Sequence, residues 1–318
     1  MFAHRGETVK KLSIPIILSY LAIYIVWGST YFFIKMGVES IPPFYLVGFR
    51  FLFGGLGFLA ISLAAGQLRK MPTLQEMLAA LFLGSLLLLL GNGFVSLAER
   101  SVDSYLAALF IASTPFCVAF FNRIFFKEKL PLFRLLGMLS GILGVGLILY
   151  NGSNILSSFT PGVGLIFVGL LCWALATSVG HKIKVHPNNL VNSGMQMLFA
   201  GILGVVFSSF IYPPLPALLP TITVRSWIGL SYLTVLGGMA FYCYAYLIKN
   251  EPSIRVVSYS IINPVIAVAL GICIGNEKPA HFLLLGFPLV LLGLVLMMYG
   301  GRIFSTAALR REARRQPE

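Results

Sequence analysis

Arg50 is the side chain in this sequence that is hardest to explain as mere solubility. It stands about seven residues into an apolar run that begins near residue 43, roughly 10 Å along a helix that rises about 1.5 Å per residue. A guanidinium at that depth in an apolar medium must find a partner or water. Two readings fit. Its planar fork suits an anionic group of a bound solute. Alternatively it caps carbonyls or forms a structural pair, with Glu39 or Glu99 as available carboxylates. Other polar and amphipathic residues recur at helical spacing inside apolar runs. Tyr20, Tyr24, Trp27, Tyr31 and Lys35 follow one another at intervals of 4, 3, 4 and 4 residues, so they share one helical face. Interfacial aromatic belts sit at helix ends. This stripe runs through the middle of its segment, which suits either cavity lining or helix packing. Ser85, Asn92, Ser96 and Glu99 share a face in the third apolar run. A polar stripe there should point to protein or water. Asn92 stands between Gly91 and Gly93, where the backbone can be approached closely or the helix broken. In the second half of the chain Trp173, Gln196, Tyr242, Tyr246 and Asn263 are the corresponding intramembrane candidates. The residues expected at a substrate site are therefore Tyr24, Trp27, Tyr31, Lys35, Arg50, Asn92, Trp173, Gln196, Tyr242, Tyr246 and Asn263.

Enzymatic chemistry finds little footing. No GxxxxGK[ST] phosphate loop occurs, no serine-nucleophile motif stands out, and no cluster of His, Cys, Asp and Glu has metal-ligand spacing. Cys117, Cys172, Cys243 and Cys273 lie singly in apolar runs, as small buried apolar residues do. No catalytic residue, metal or cofactor is expected. All ten acidic residues fall in loops, tails or span ends. Proton-coupled carriers commonly use a buried titratable group. Its absence inside the spans points to facilitated movement or exchange, unless a water-filled cavity reaches Lys35 or Glu99.

The elements that must hold these residues follow from composition. Of 318 residues 58% are hydrophobic and 10% charged, whereas soluble domains carry about 25% charged residues. Ten apolar runs are each on the scale of the about 20 residues that cross a bilayer: roughly 14–36, 43–65, 76–98, 103–122, 134–150, 161–180, 192–212, 226–248, 255–275 and 282–300. The first is too long for a signal-peptide core and no small-residue cleavage pattern follows it. Loops rich in Lys and Arg stay cytoplasmic. With the N-terminus inside, Lys35, Arg100, Arg225 and Lys278 face outward and Arg50 lies in a span, leaving 18 of the 23 basic residues inside. Topology and anionic lipid thus account for the net charge of +13, and nucleic acid is not an expected partner.

The halves repeat. At an offset of 149, Pro115 falls on Pro264, Glu128 on Glu277, Lys129 on Lys278, Gly137 on Gly286, Gly144 on Gly293 and Tyr150 on Tyr299; Trp27 falls on Trp173 at 146. Five spans per half is odd, so the second half must enter the membrane inverted. Inverted repeats are a carrier architecture, with sites near the midplane between repeats. The expected organisation is an all-α membrane protein of ten transmembrane helices: a five-helix repeat over 1–152, a second, inverted one over 153–301, and a basic cytoplasmic tail over 302–318. Pro115 and Pro264 should kink their helices, Gly137/Gly141 and Gly271/Gly275 should permit close helix contact, and Glu128 and Glu277 should cap the helices that follow them.

Trp27-Gly28-Ser29-Thr30, Lys35 and Arg50-Phe51, with Pro115, Glu128 and Gly137–Gly144 and their second-half counterparts, resemble the drug/metabolite transporter superfamily, EamA type. The resemblance covers nearly the whole chain. It implies a ten-helix secondary transporter of the bacterial inner membrane, multi-pass with both termini cytoplasmic, exporting small amino-acid-like or related metabolites by alternating access. A flippase for a lipid or lipid-linked group is the alternative. Small-molecule substrate and membrane lipid are the expected partners.

Overall fold

The computed structural model describes residues 13–67, 70–150, 160–180, 182–251, 256 and 258–313. Its regular elements are helical. The first half comprises α1 (Ile14–Val38), α2 (Pro43–Ala64), α3 (Leu74–Ala98), α4 (Ser104–Phe126) and α5 (Leu132–Leu149). The second comprises α6 (Pro161–Gly180), α7 (Asn189–Ile211), α8 (Val224–Asn250), α9 (Tyr259–Cys273) and α10 (Leu283–Ala313). All but α9 contain a stretch long and apolar enough to cross a bilayer; α9, with 15 residues, is apolar but shorter. The helix of α10 continues past the expected end of the last span and into the segment expected as a tail. The expected repeat boundary at 152/153 and the last five residues, 314–318, lie outside the described residues. Cys273 is exposed rather than buried, and the four cysteines are free.

Packing obeys the repeat. Equivalent helices of the two halves cross each other, α2 on α7 and α5 on α10. The contacts come in pairs that the repeat converts into one another. A Cβ on Gly137 would meet the Gly293 carbonyl at 2.7 Å, and one on Gly144 the Gly286 carbonyl at 2.6 Å; the offset of 149 exchanges these two contacts. On α2 and α7, Gly55 abuts Leu198 while Gly201 abuts Leu52, and Gly48 abuts Gly204 and Val205 while Gly194 abuts Phe58 and Leu59. The remaining partners also swap. α1 packs on α8 and α9, and its counterpart α6 packs on α3 and α4. The contacts exchange as a pseudo-two-fold relation between the halves requires, and the protein is built from two inverted five-helix repeats. In lipid there is little hydrophobic drive between helices, and close van der Waals approach through small residues takes its place.

Two helices depart from regular winding. Residues Ser85–Gly91 of α3 form a π-helical turn, wider than an α-turn and a device that recurs at functional sites. Asn92 follows it and donates from Nδ2 to the Leu87 carbonyl at 3.2 Å, satisfying an acceptor five residues back. α4 is interrupted between Ile111 and Thr114, and Pro115 stands at the start of its second segment, where a missing N–H costs nothing. Pro264 lies within α9. Lys127 and Asn276, 149 residues apart, both adopt the left-handed conformation, at φ 54° and 53°. Each precedes one of the paired glutamates.

Candidate functional site

Trp27 of α1, Arg50 of α2, Asn92 of α3 and Trp173 of α6 line one central cavity, together with Phe51, Leu88, Met197, Leu233, Gly237, Gly238 and Phe241. Four residues singled out by spacing alone are thus brought together from both repeats. The cavity is about 40 Å³, near the roughly 30 Å³ that one water occupies in the liquid. It is closed around little. Trp27 is held by an aromatic box, its ring 5.1 Å from Tyr244, 5.1 Å from Tyr259 in an edge-on arrangement, and 6.4 Å from Phe241. Arg50 is 8% exposed; its guanidinium carbon lies 4.7 Å from the Phe51 ring centroid, and its Nη1 has no hydrogen-bond partner. It makes no ion pair among the described residues. Glu39, one of its anticipated partners, pairs with Arg225 at 3.1 Å on the surface.

Glu99, the other anticipated partner, is fully buried immediately after α3, and neither carboxylate oxygen has a hydrogen-bond partner. Burial pushes its carboxyl well above the usual carboxylate range; Lys35 opposes this, Glu277 adds to it, and Arg50 opposes it. Tyr31 stands where the fields of Arg50 and Glu99 overlap and packs on the core formed by Val95, Ala98 and Val102.

A second cavity, about 340 Å³, lies at the end that the charge count assigns to the exterior, lined by Phe32, Lys35, Met36, Glu39, Asp103, Arg225, Gly275, Asn276, Glu277 and Lys278. Lys35 donates to the Val102 carbonyl at 2.8 Å. Glu277 accepts from the Ser104 N–H at 2.8 Å and the Tyr105 N–H at 3.2 Å. It therefore caps α4, 173 residues away across the repeat interface, through the first N–H groups of that helix. The Tyr105 hydroxyl donates to the Lys278 carbonyl at 3.0 Å and accepts from the Ala280 N–H at 2.8 Å, tying down the same corner. Glu128, its repeat partner, is exposed. Burial raises the Asp103 carboxyl, Glu277 raises it further and Lys35 lowers it.

Against these coordinates the sequence matches a family model twice, over residues 14–150 and again over 160–299, and that model is the EamA-like transporter family. The chain belongs to the EamA-like transporter family. This EamA-like transporter is 34% identical to the inner membrane transporter YedA of Escherichia coli over 92% of its own length and 93% of YedA. It is 26% identical to the "probable amino-acid metabolite efflux pump" of Salmonella typhimurium, over 90% and 96% of the two chains, and 24% identical to the Salmonella protein PagO over 89% and 92%. A solved crystal structure superposes with a TM-score of 0.61 over 92% of this chain and 99% of that one, at 19% identity, which is a likeness of fold alone. The protein is a transporter, a multi-pass inner-membrane protein of the drug/metabolite transporter superfamily.

The other expected residues of this EamA-like transporter lie around the central cavity at varying remove. Gln196 is buried on α7, with its backbone against Gly84. Tyr24 shares a 2.6 Å hydrogen bond with Ser258, and Asn263, with its amide turned to donate, reaches the Tyr24 and Tyr259 carbonyls at 3.2 and 3.1 Å, joining α1 to α9. Tyr246 packs with Ile16, Ile23 and Leu247. Tyr242 points outward and is 51% exposed, and Lys35 belongs to the outer cavity. Sequence reasoning missed Phe241, Tyr244 and Tyr259, which form the box around Trp27. The spacing of Phe241 and Tyr244 carries the signal, one face of α8 with Tyr242 on another.

Proposed function

We propose that this transporter exports small amphipathic metabolites of the amino-acid kind by alternating access about the central cavity. The observation that carries the reading is Arg50: a buried guanidinium, one nitrogen unpartnered, set among Trp27, Trp173 and Phe241 where helices of both repeats meet. A buried polar group without a partner costs free energy, and a solute carboxylate would relieve that cost while its apolar part occupies the aromatic walls. Substrate pockets hold about 300–1,000 Å³, so the site must widen by relative movement of the repeats, the motion expected of this architecture. The outer cavity of about 340 Å³ lies toward the expected exterior, and the widening must join it to the central cavity for export. The amino-acid metabolite efflux pump of Salmonella typhimurium, similar over nearly its whole length, supports export and the solute class.

Counterflow into liposomes containing the purified protein tests this. The panel comprises aromatic and branched amino acids, des-amino carboxylic acids, nucleosides, and fluorescent lipid. Saturable exchange of amino acids is expected, lowered about 10- to 100-fold in Arg50→Met and shifted to higher half-saturation in Trp27→Ala. Redistribution of lipid, with no exchange of any soluble compound, would replace this reading with a flippase.

A further inference from the structure

Two ionisable groups in the interior lack partners, and they carry opposite charge. Arg50 has a free Nη1 and Glu99 has two free carboxylate oxygens. They interact electrostatically, yet they form no ion pair within 4.0 Å among the described residues. Lys35 also acts on Glu99, but its ammonium is engaged with the Val102 carbonyl, three residues further along the chain. The charged and titratable groups that face Glu99 are therefore Tyr31 and Lys35 from α1, Arg50 from α2, and Glu277 from the turn after α9. None of them hydrogen-bonds the carboxylate. A bare buried carboxylate is far costlier than a neutral acid. With the site empty, the proton stays on.

We propose that Glu99 is the coupling carboxyl of this transporter, a proton-binding site that releases its proton when the ammonium group of a zwitterionic solute takes its place. The proposal rests on the function proposed above. The solute's carboxylate pairs with Arg50 and its ammonium with Glu99. Entry of the ammonium breaks the carboxyl O–H bond; the proton passes to water, and the bond pair stays on the carboxylate oxygen, now matched by the solute cation. Lys35 lines the outer cavity, bonds the carbonyl of Val102, three residues past Glu99, and acts electrostatically on the buried acid. Because proton and solute compete for one carboxylate, they cross in opposite directions, and one positive charge enters for each zwitterion exported. An inward proton gradient then drives export. The sequence-level case against proton coupling, the absence of an acid within any span, fails because Glu99 lies just past the end of α3 yet is folded wholly inside.

The test has two arms. In the first, phenylalanine or its des-amino analogue, phenylpropionate, is added to purified protein in weakly buffered detergent with a pH dye. Phenylalanine should release protons from the wild type and phenylpropionate should not. Glu99→Gln should lose the release, and its phenylalanine counterflow should lose the rise with pH that the wild type shows. Undiminished proton release from Glu99→Gln would overturn the proposal. The second arm needs no solute: infrared spectra at neutral pH should contain a protonated-carboxyl band that is absent from Glu99→Gln and retained in Glu128→Gln. Identical wild-type and Glu99→Gln spectra would overturn the proposal whatever the solute. If the band behaves as expected but no amino acid exchanges in the wild type, Glu99 stands as the proton site and the solute class falls.

Discussion

The helix crossings and the central cavity follow opposite physical rules. Where α5 crosses α10 and α2 crosses α7, glycines let backbones touch, the contacts occur twice by symmetry, and the glycines meet backbone and apolar side chains. At the cavity Arg50 stands beside an aromatic box, Tyr31 and Glu99 act on it electrostatically from outside the lining, and Arg50 Nη1 and both Glu99 carboxylate oxygens are left without hydrogen-bond partners. The crossings hold the fold and could not be improved by charge. The cavity sacrifices stability for atoms that are ready to bind. The difference teaches where to look in such a protein: regularity marks the scaffold, and orphaned polar atoms mark the place where the function proposed above seats its solute.

The contrast can be broken most sharply at a crossing. Gly144→Val inserts side-chain atoms where even a Cβ would lie 2.6 Å from the Gly286 carbonyl. Overpacking of this kind costs about 1–3 kcal/mol and sometimes more, so the yield of monodisperse protein in detergent and its melting temperature should both fall steeply. Arg50→Met should do the reverse, since replacing a buried, unpaired charge by an apolar chain of similar length is neutral or stabilising. Its melting temperature should hold or rise while exchange falls about 10- to 100-fold, as expected for losing a charge-assisted bond worth about 1.5–3 kcal/mol. Glu277→Gln sits between the two regions. It weakens the cap on α4 and should cost about 1 kcal/mol, read as a lower melting temperature that Gln only partly spares.

A smaller effect concerns pH. The carboxyl of Glu99 is raised on folding, so the folded chain binds more protons than the unfolded one, and stability must fall as pH rises above the unfolded carboxylate range towards the folded value. The wild-type melting temperature should decline over that interval, with a shallower decline in Glu99→Gln; the residual slope belongs to Asp103, which is raised for the same reason. Least of all, Tyr242→Ala should leave exchange unchanged and move stability by less than about 0.5 kcal/mol, because this side chain points out of the bundle.

Much of the fold was legible in the sequence, for a physical reason. Bilayer thickness sets helix length, so apolar run length finds the spans, and five spans per repeat force the inversion. The site was legible only in part. Period assigns residues to a face, and the faces bearing Trp27, Arg50, Asn92 and Trp173 do meet. Period does not say which neighbour a face will find. Tyr242 and Tyr246 share a spacing of four, yet one is exposed and the other packs with Ile16 and Ile23. Glu277 looked like a local cap and reaches across the repeat interface, because its partners, the first N–H groups of α4, lie 173 and 172 residues away, and local spacing cannot see a tertiary neighbour. Glu99 reads as a span-end residue on the polar face of the third run, and its full burial is hidden because hydropathy is blind to how deeply a helix end is covered by others.

The π-helical turn at Ser85–Gly91 has a consequence for how this architecture can diversify. Each residue of a regular helix advances it by about 100°, so a residue taken up in a wider turn re-aims everything beyond it. The part of α3 before the turn lies on α7, and the part after it lies on α6 and α2. The helix is therefore two separately addressed rods on one string. A gain or loss of a single residue between Gly84 and Asn92 would rotate Asn92 and Glu99 away from the interior and present other side chains in their place, while leaving the anchoring of Leu74–Gly84 untouched. On the function proposed above, a one-residue insertion or deletion at this turn would exchange the side chains offered to the solute without rebuilding the carrier.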